Sequence, residues 1–447
     1  MTITPDTAAG AAAGPVAGST GTATGAPHPD SAPDDVARIT AQFGAPRRTI
    51  ALVLIAAVGM YVMAMSLSTA LSLRIAGLAA GATRDTLYSH VVSVGALLMI
   101  VVVPLAGALS DRTTSRFGRR KPWIVGCLLA ALAGAALVGT TTSPTLIGAG
   151  YVLAVVAMQA GFNAYAVIPV EAVPDAMRAR VMGIMGLFGA LAFSGGSYLT
   201  GALVGRPLLL MTVPVALGLV ASIPLLALYR DPVRARSEVP ALDVRSMAAG
   251  MVVNPRKHPS FGWTWLARFL AGIAMAALFT YFIYYLIDVL HTPLPQVGAK
   301  AGLLTLISAP VSILFFTGSG WLSDKVGRRK PFVAVAAVLM ASGLVIGGLA
   351  HSFPVFAVAW IVFAMGQATY LTVDLALCAS VLPDQRDAGK DMAVFGLALN
   401  IPNILVPAVG PAVLAMGAGH NYQLLWAVAA LLCLAGAGLM PLIKGAR

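Results

Sequence analysis

Charged residues are scarce in this chain of 447 residues. Asp, Glu, Lys and Arg together make up 10% of it, whereas a soluble domain usually contains about a quarter. Hydrophobic residues make up 58%, and the mean hydropathy is +0.86. Too few charges remain to cover a large apolar core with a surface that faces water. The composition therefore excludes a soluble globular protein and indicates a chain immersed in lipid.

Cysteine and clustered histidine are also scarce, which excludes several kinds of chemistry. Cys127, Cys378 and Cys433 each lie inside an apolar run, without the paired spacing of a metal or redox site. The tail and loop histidines show no metal-ligand spacing, and no GxxxxGK[ST] phosphate loop or nucleophile–base constellation is visible. The sequence predicts no metal, no cofactor and no enzyme. The net charge of +12 lacks a basic stripe interleaved with aromatics, so nucleic acid is not an expected partner.

Long apolar runs are abundant. A helix needs about 20 apolar residues to cross the hydrocarbon layer, because every backbone polar group must be satisfied within the segment. The sequence contains twelve such runs, at 50–73, 88–109, 122–141, 145–169, 180–204, 207–229, 261–288, 299–322, 331–350, 354–382, 391–415 and 422–443. They predict an all-α membrane protein with twelve transmembrane helices.

The distribution of Lys and Arg predicts the orientation of these helices. Cytoplasmic loops are enriched in both residues. With both termini in the cytoplasm, 25 of the 29 cations lie on the inner side. The cations left outside are Arg74, Arg84, Arg206 and Lys300. We therefore expect a multi-pass protein of the cell (plasma) membrane with cytoplasmic termini.

The chain divides into two related halves. GALSDRTTSRFGRRKPW in the first half corresponds to GSGWLSDKVGRRKPF in the second, where Asp111 matches Asp324 at an offset of 213 residues and Gly118 matches Gly327 at 209. The difference is one insertion of four residues in the first copy. The sequence thus predicts two pseudo-symmetric six-helix bundles.

Composition sets the predicted domain boundaries. Residues 1–46, rich in Ala, Gly, Thr and Pro, are expected to form a disordered cytoplasmic tail. The first bundle would cover residues 47–229 and the second residues 261–447. Between them, residues 230–260 form a polar stretch that is interpreted as a cytoplasmic linker.

The duplicated loop resembles the signature of the major facilitator superfamily, Gly-x-Leu-x-Asp-Arg-x-Gly-Arg-Arg. The matching residues are Gly107, Leu109, Asp111, Arg112, Gly118, Arg119 and Arg120. The extended form SDRTTSRFGRRKPW resembles the sucrose–proton and glycoside–cation symporters. VDLALCASVLPD at 373–384 and the stretches FGWTWLARFL and YFIYYLIDVL resemble the same branch. The resemblance implies the major facilitator fold and transport of a small solute.

In that family the signature loops brace a gate, which implies roles for the charges at the helix–loop junctions. Such charges can pair across a gap that closes in one state and opens in the next. The expected gate and signature-loop residues are Gly107, Asp111, Arg112, Gly118, Arg119, Arg120 and Glu171 in the first half, and Asp324, Gly327, Arg328 and Arg329 in the second. The alternative is that the cations only set topology.

Asp374 is the candidate for ion coupling. An ionisable group in a spanning helix costs several kcal/mol and suggests a function. Gln367, Tyr370 and Asp374 recur at helical spacing and predict a polar face turned towards a cavity. A carboxyl there could carry a proton or bind a cation. The alternative is a carboxyl paired permanently with a neighbouring helix.

Amide side chains are candidates for binding the solute. Gln159 and Asn163 are four residues apart in the fourth run and could hydrogen-bond a polyhydroxylated ligand, or pack helices. Asn400 and Asn403 flank Pro402, which interrupts the eleventh run. Transporters use such interruptions near substrate sites, although a simple kink is the alternative.

Tyrosines near the end of the seventh run are a further candidate. Tyr281 and Tyr285 share a face with Tyr284 and Asp288 and could stack on a sugar. The favoured interpretation is an interfacial aromatic belt with a carboxylate at its outer rim.

The resemblance implies a secondary transporter, a monomer in the lipid bilayer, that takes up a sugar or glycoside together with a proton or other cation by alternating access. The alternatives are an exporter of drugs or other small hydrophobic compounds, a polytopic membrane enzyme, and a transport-inactive receptor that signals through its tail. An exporter would favour a larger apolar cavity with few amides at mid-membrane.

Overall fold

The computed structural model describes residues 31–233, 258–380, 388–417 and 420–443. Its regular structure is helical, and no strand occurs in these ranges. The helices are α1 Ser31–Phe43, α2 Pro46–Ala76, α3 Gly81–Asp111, α4 Lys121–Thr140, α5 Pro144–Ala172, α6 Asp175–Ala202, α7 Pro207–Leu228, α8 Pro259–Asp288, α9 Leu294–Val326, α10 Lys330–Gly348, α11 Phe353–Ser380, α12 Ala388–Asn400, α13 Pro402–Leu414, α14 Tyr422–Gly438 and a 3₁₀ turn at Met440–Leu442.

Within the described residues, twelve helical stretches are long and apolar enough to cross a membrane, which confirms the predicted number. The eleventh run is divided between α12 and α13. The break falls at Ile401, directly before Pro402, because proline cannot donate the backbone hydrogen bond that a continuous helix needs. The predicted interruption is therefore present.

Helix packing follows the internal repeat. In the first half α2 packs against α6 and α7, and α4 packs against α5. In the second half α10 packs against α11 and α14. The two halves contact each other chiefly through α6 with α9 and α3 with α13. Two of these helices from each half thus form the main contact surface.

The prediction of disorder up to residue 46 is wrong for the end of the tail, where α1 forms. Ile39 and Phe43 lie four residues apart on one face of this helix, and both are buried. The Phe43 ring stacks on Tyr229, with ring centroids 6.1 Å apart. These two apolar side chains dock the helix, although the surrounding composition is polar. Residues 1–30 and most of the predicted linker lie outside the described residues.

The two ends of the bundle differ in how closely the halves approach. We call the end at the α3–α4 loop the signature-loop side and the end at the α2–α3 loop the far side. On the far side Gly298 abuts Gly201, and the Ser194 hydroxyl donates a 2.8 Å hydrogen bond to the Gly302 carbonyl. Gly183, three turns from Ser194 towards the signature-loop side, has open space around it. The described hydrogen bonds and ring contacts between the halves thus lie towards the far side.

Candidate functional site: charge clusters between and within the halves

A buried charge cluster joins the two halves on the far side. Arg84, at the start of α3, donates to Asp85 at 2.8 and 3.0 Å and to Asp288, at the end of α8, at 2.5 and 2.9 Å. The Tyr422 hydroxyl donates to Asp288 at 2.6 Å. The fork of the guanidinium suits two carboxylates at once, which makes this a well-paired contact between halves. We call these four residues with His420 the far-side cluster.

Tyrosines extend this contact deeper into the bundle. The hydroxyls of Tyr281 and Ser89 lie 2.9 Å apart across the two halves, and the rings of Tyr284 and Tyr88 meet edge to face at 5.0 Å. The interpretation as an interfacial aromatic belt is wrong, because these side chains are buried inside the protein. They form contacts between α8 and α3 instead.

Tyr285, four residues after Tyr281 along α8, has different neighbours. Its hydroxyl donates to the Ala350 carbonyl at 2.5 Å, and its ring stacks on Phe356 at 5.0 Å. All three residues belong to the second half. The structure thus places Tyr281 at the interface between halves and Tyr285 in the core of one half.

The signature loop of the first half forms an ion network with the end of α5. Arg119 pairs with Glu171, and Arg120 contacts Asp111 at 2.6 Å and Glu171 at 3.2 Å. Both arginines are buried, whereas the two carboxylates are partly exposed. Every partner in this network belongs to the first half.

Asp231, just after α7, completes this network. Its carboxylate accepts hydrogen bonds from the backbone N–H groups of Arg120 and Lys121 at 2.6 and 2.9 Å, and so caps the start of α4. Gly118 lies against it with φ of +98°, where a Cβ would overlap the Asp231 side chain. This contact explains the signature glycine. Burial raises the pKa of the neighbouring Tyr229 phenol well above its usual range, so this tyrosine stays neutral.

Two other signature positions have local packing roles. Arg112 donates to the Ala108 carbonyl at 2.8 Å. Gly107 packs against the Asn163 amide, which lies 3.4 Å from where a Cβ of Gly107 would be. The signature loop therefore touches one of the predicted solute-binding residues.

The second signature loop is more exposed. Asp324 lies 3.5 Å from Arg329, and its side chain is 70% exposed. Arg329 also donates to the Ala376 carbonyl at 2.6 Å. Gly327 ends α9 with φ of +65°, and Arg328 is exposed. These contacts lie within the second half, so gate pairs across the halves remain a prediction for a state in which this side is closed.

Asp374 forms a buried ion pair with Arg268 of α8. Asp374 is 1% exposed, and the Arg268 guanidinium lies 4.2 Å from the centre of the Phe395 ring. Tyr370 is also buried, so the expected water-facing stripe on α11 is wrong for Tyr370 and Asp374. The packing of α8 against α11 covers Asp374 with Arg268, while Gln367 is half-buried.

The other amides occupy different environments. Gln159 and Asn163 are half-buried on α5, whereas Asn400 and Asn403 are exposed beside the α12–α13 break. The Asn403 amide donates to the Leu399 carbonyl at 3.0 Å, across the interrupted turn. Gln159 and Asn163 thus belong to the first half, and Asn400 and Asn403 belong to the second.

Sequence reasoning missed Arg268, Arg84, His420 and Asp231. The distribution of cations places Arg268 on the inner side, but it lies nine residues inside α8, about 13 Å from the helix start. The signal was available, because a cation inside the 261–288 apolar run is as unusual as Asp374. Arg84 and Asp85 are neighbours in the sequence, but their partners Asp288 and His420 lie far along the chain, and no pattern indicates that pairing.

A metal centre is not visible in the described part of the chain, where no three His, Cys, Asp or Glu side chains are arranged so that they could hold a metal ion. Cys378 and Cys433 are buried in the core, and Cys127 is half-buried. Twelve helical stretches long and apolar enough to cross a membrane, arranged in two halves with charge clusters between and within them, indicate a polytopic membrane protein.

Comparison with known proteins identifies the family. Residues 49–319 and 298–444 match the Major Facilitator Superfamily, so the chain belongs to this superfamily of transporters. The structure is similar to a mutant of the nucleoside transporter NupG, with a TM-score of 0.71 and 14% identity over 89% of this chain and 100% of that one. It is also similar to a bacterial homologue of the human lysosomal transporter Spinster, with a TM-score of 0.60 and 15% identity over 89% and 95% of the two chains.

A shorter match reaches a curated relative. A stretch of 53 residues is 49% identical to Proton-associated sugar transporter A of Homo sapiens, and the same values hold for the Mus musculus protein. The match covers 12% of this chain and 7% of each relative.

Proposed function

We propose that this protein is a secondary active transporter that couples a proton to the uptake of a sugar or glycoside by alternating access. The observation that carries the proposal is the buried Arg268–Asp374 pair inside the spanning helices. Such a pair is costly to bury, since the desolvation of two charges offsets much of their attraction. A functional role accounts for its presence in a region that apolar side chains could fill.

The coupling step follows from the surroundings of this pair. When the second half opens to water, a proton on Asp374 releases Arg268 from its partner. When the half closes again, loss of the proton restores the pair. Asp374 thus binds either a proton or Arg268. This alternation links protonation to the packing of α8 against α11.

Two observations bear on the solute class and the direction of transport. The stretch shared with Proton-associated sugar transporter A favours a sugar. The excess of cations on the signature-loop side supports a cytoplasmic position for that side, so the far-side contacts between the halves would close the outer end. With the outer end closed, an importer releases its solute to the cytoplasm and an exporter takes it up there, so the direction of transport is part of the proposal.

Purified protein in liposomes tests the proposal. With the lumen made alkaline, wild-type protein is expected to accumulate labelled sucrose, maltose or another glycoside. Asp374→Asn is expected to abolish accumulation but to keep exchange of solute between the two sides. Asp175→Asn is the matched control, because Asp175 forms an exposed ion pair with Arg178 one turn away.

Two outcomes would count against the proposal. Accumulation that survives in Asp374→Asn would reject the coupling role. Gradient-driven movement of hydrophobic dyes, with no movement of any sugar, would favour the exporter.

A further inference from the structure

His420 lies at the edge of the far-side cluster. Its Nδ1 atom is 3.4 Å from Asp288, in its own half, and 3.8 Å from Asp85, in the other half. Its side chain is 41% exposed, whereas Asp85 and Arg84 are almost fully buried. A cavity of about 240 Å³ on the same side is lined by His420, Tyr422 and Tyr285. Protons from the far-side water therefore reach the imidazole while the halves are in contact.

The charge balance of the cluster depends on this imidazole. The groups that face it are Asp85 and Arg84 from α3, Asp288 from α8 and Tyr422 from α14. With both carboxylates ionised, a neutral imidazole leaves one cation against two anions, a net charge of −1. A protonated imidazole balances the charge. Histidine is the side chain that ordinarily changes charge between about pH 5 and 8.

The net charge of the far-side cluster affects the free energy of closing the far side. While the halves are apart, water screens Asp288 and Asp85, and the net charge costs little. In the closed state Arg84 and Asp85 are buried and Asp288 is largely covered, so an uncompensated charge among them is costly. A proton that binds the closed state more tightly must favour closure by the same free energy.

We propose that His420 is a second proton-binding site of this transporter, and that a proton taken from the far side closes the far-side contact. This inference deepens the proposed function, because the proton that drives uptake would then also favour the transition away from the far side. It is separate from Asp374, which lies within one half and away from this surface.

Distance measurements between spin labels test the inference without any solute. Thr142→Cys and Gln296→Cys place labels on exposed far-side positions of different halves, in a background without Cys127, Cys378 and Cys433. The ratio of the closed-state to the open-state population is expected to be about threefold higher at pH 5.5 than at pH 8.0. A change of this size is typical of a partly exposed ion pair. His420→Gln is expected to remove this pH dependence. His420→Arg, which keeps a cation at all pH values, is expected to keep the high ratio at both.

His351→Gln is the matched control, because His351 is exposed on the same side and the substitution should leave the pH response intact. Equal ratios at both pH values in the wild type, or a full pH response in His420→Gln, would overturn the inference. Since no solute is present, either result leaves the sugar proposal untouched. Likewise, a failure to transport sugar would not change the result of the label-distance measurement.

Discussion

The two buried charge clusters of this protein contain similar groups but join different parts of it. Arg84 links Asp85 of the first half to Asp288 of the second, whereas Arg268 and Asp374 both belong to the second half. A rigid rotation of the halves separates the first set and leaves the second intact. The far-side cluster can therefore report and hold a conformation, while the Arg268–Asp374 pair changes only when its own charge changes.

The largest expected effect comes from breaking the pair within one half. Arg268→Met removes the arginine partner of a carboxyl that is 1% exposed in this state, so the free energy of unfolding should fall by about 3–5 kcal/mol. Thermal unfolding in detergent measures this loss. The double variant Arg268→Met with Asp374→Leu should recover most of the stability and yet remain uncoupled. A double variant as unstable as the single one would contradict this account.

Breaking the cluster between the halves should act differently. Arg84→Met removes the cation from two carboxylates, which costs the closed state about 3 kcal/mol. Asp85 and Asp288 can recover water if the halves separate, so the unfolding free energy should fall by less than in Arg268→Met. The Thr142–Gln296 label distance should lengthen. A loss of stability without a longer distance would show that the far-side cluster does not hold the halves together.

A steric change at the same contact should favour the open state without altering charge. A side chain at Gly298 would overlap the backbone of Gly201 and Ser197, which cannot rotate away. Gly298→Leu should therefore cost the closed state about 1–3 kcal/mol and lengthen the same label distance. Gly205→Leu is the control, because the space around Gly205 is open. An unchanged distance in Gly298→Leu would place the far-side contact elsewhere.

The smallest effects are expected at the signature loops, where water screens the charges. Asp324→Asn removes an exposed partner 3.5 Å from Arg329 and should change the unfolding free energy by less than about 1 kcal/mol. Asp111→Asn should change it slightly more, since its partner Arg120 is buried. Both proteins should insert normally and transport more slowly, as solute uptake in liposomes measures. Normal turnover in both would reject a gate role for these carboxylates.

Much of the fold could be predicted, because every backbone polar group that crosses the lipid must form its hydrogen bond within the protein. Apolar runs of sufficient length gave the helix number, and Pro402 gave the break in the eleventh run, since both effects are local in the sequence. The helix α1 escaped prediction because, among its residues 36–43, the buried side chains are Ile39 and Phe43, and two apolar residues do not stand out in the tail.

Less of the candidate site could be predicted, because pairing depends on which helices meet. Asp374 was recognisable as a carboxyl in an apolar run, but its partner Arg268 lies 106 positions away and only packing of α8 on α11 unites them. The Arg84–Asp288 contact spans 204 positions and two halves. Tyr281 was assigned to a membrane interface because the sequence shows where a helix ends but not which face its neighbours cover.

The central claim is that Asp374 couples the uptake of a sugar to a proton. Its most direct test is to measure the proton movement that follows addition of a sugar. Liposomes with wild-type protein and a pH dye in the lumen should acidify inside when a transported sugar is added outside. Asp374→Asn should admit the labelled sugar down its gradient with no change in the dye. Sugar-evoked acidification that persists in Asp374→Asn would contradict the account.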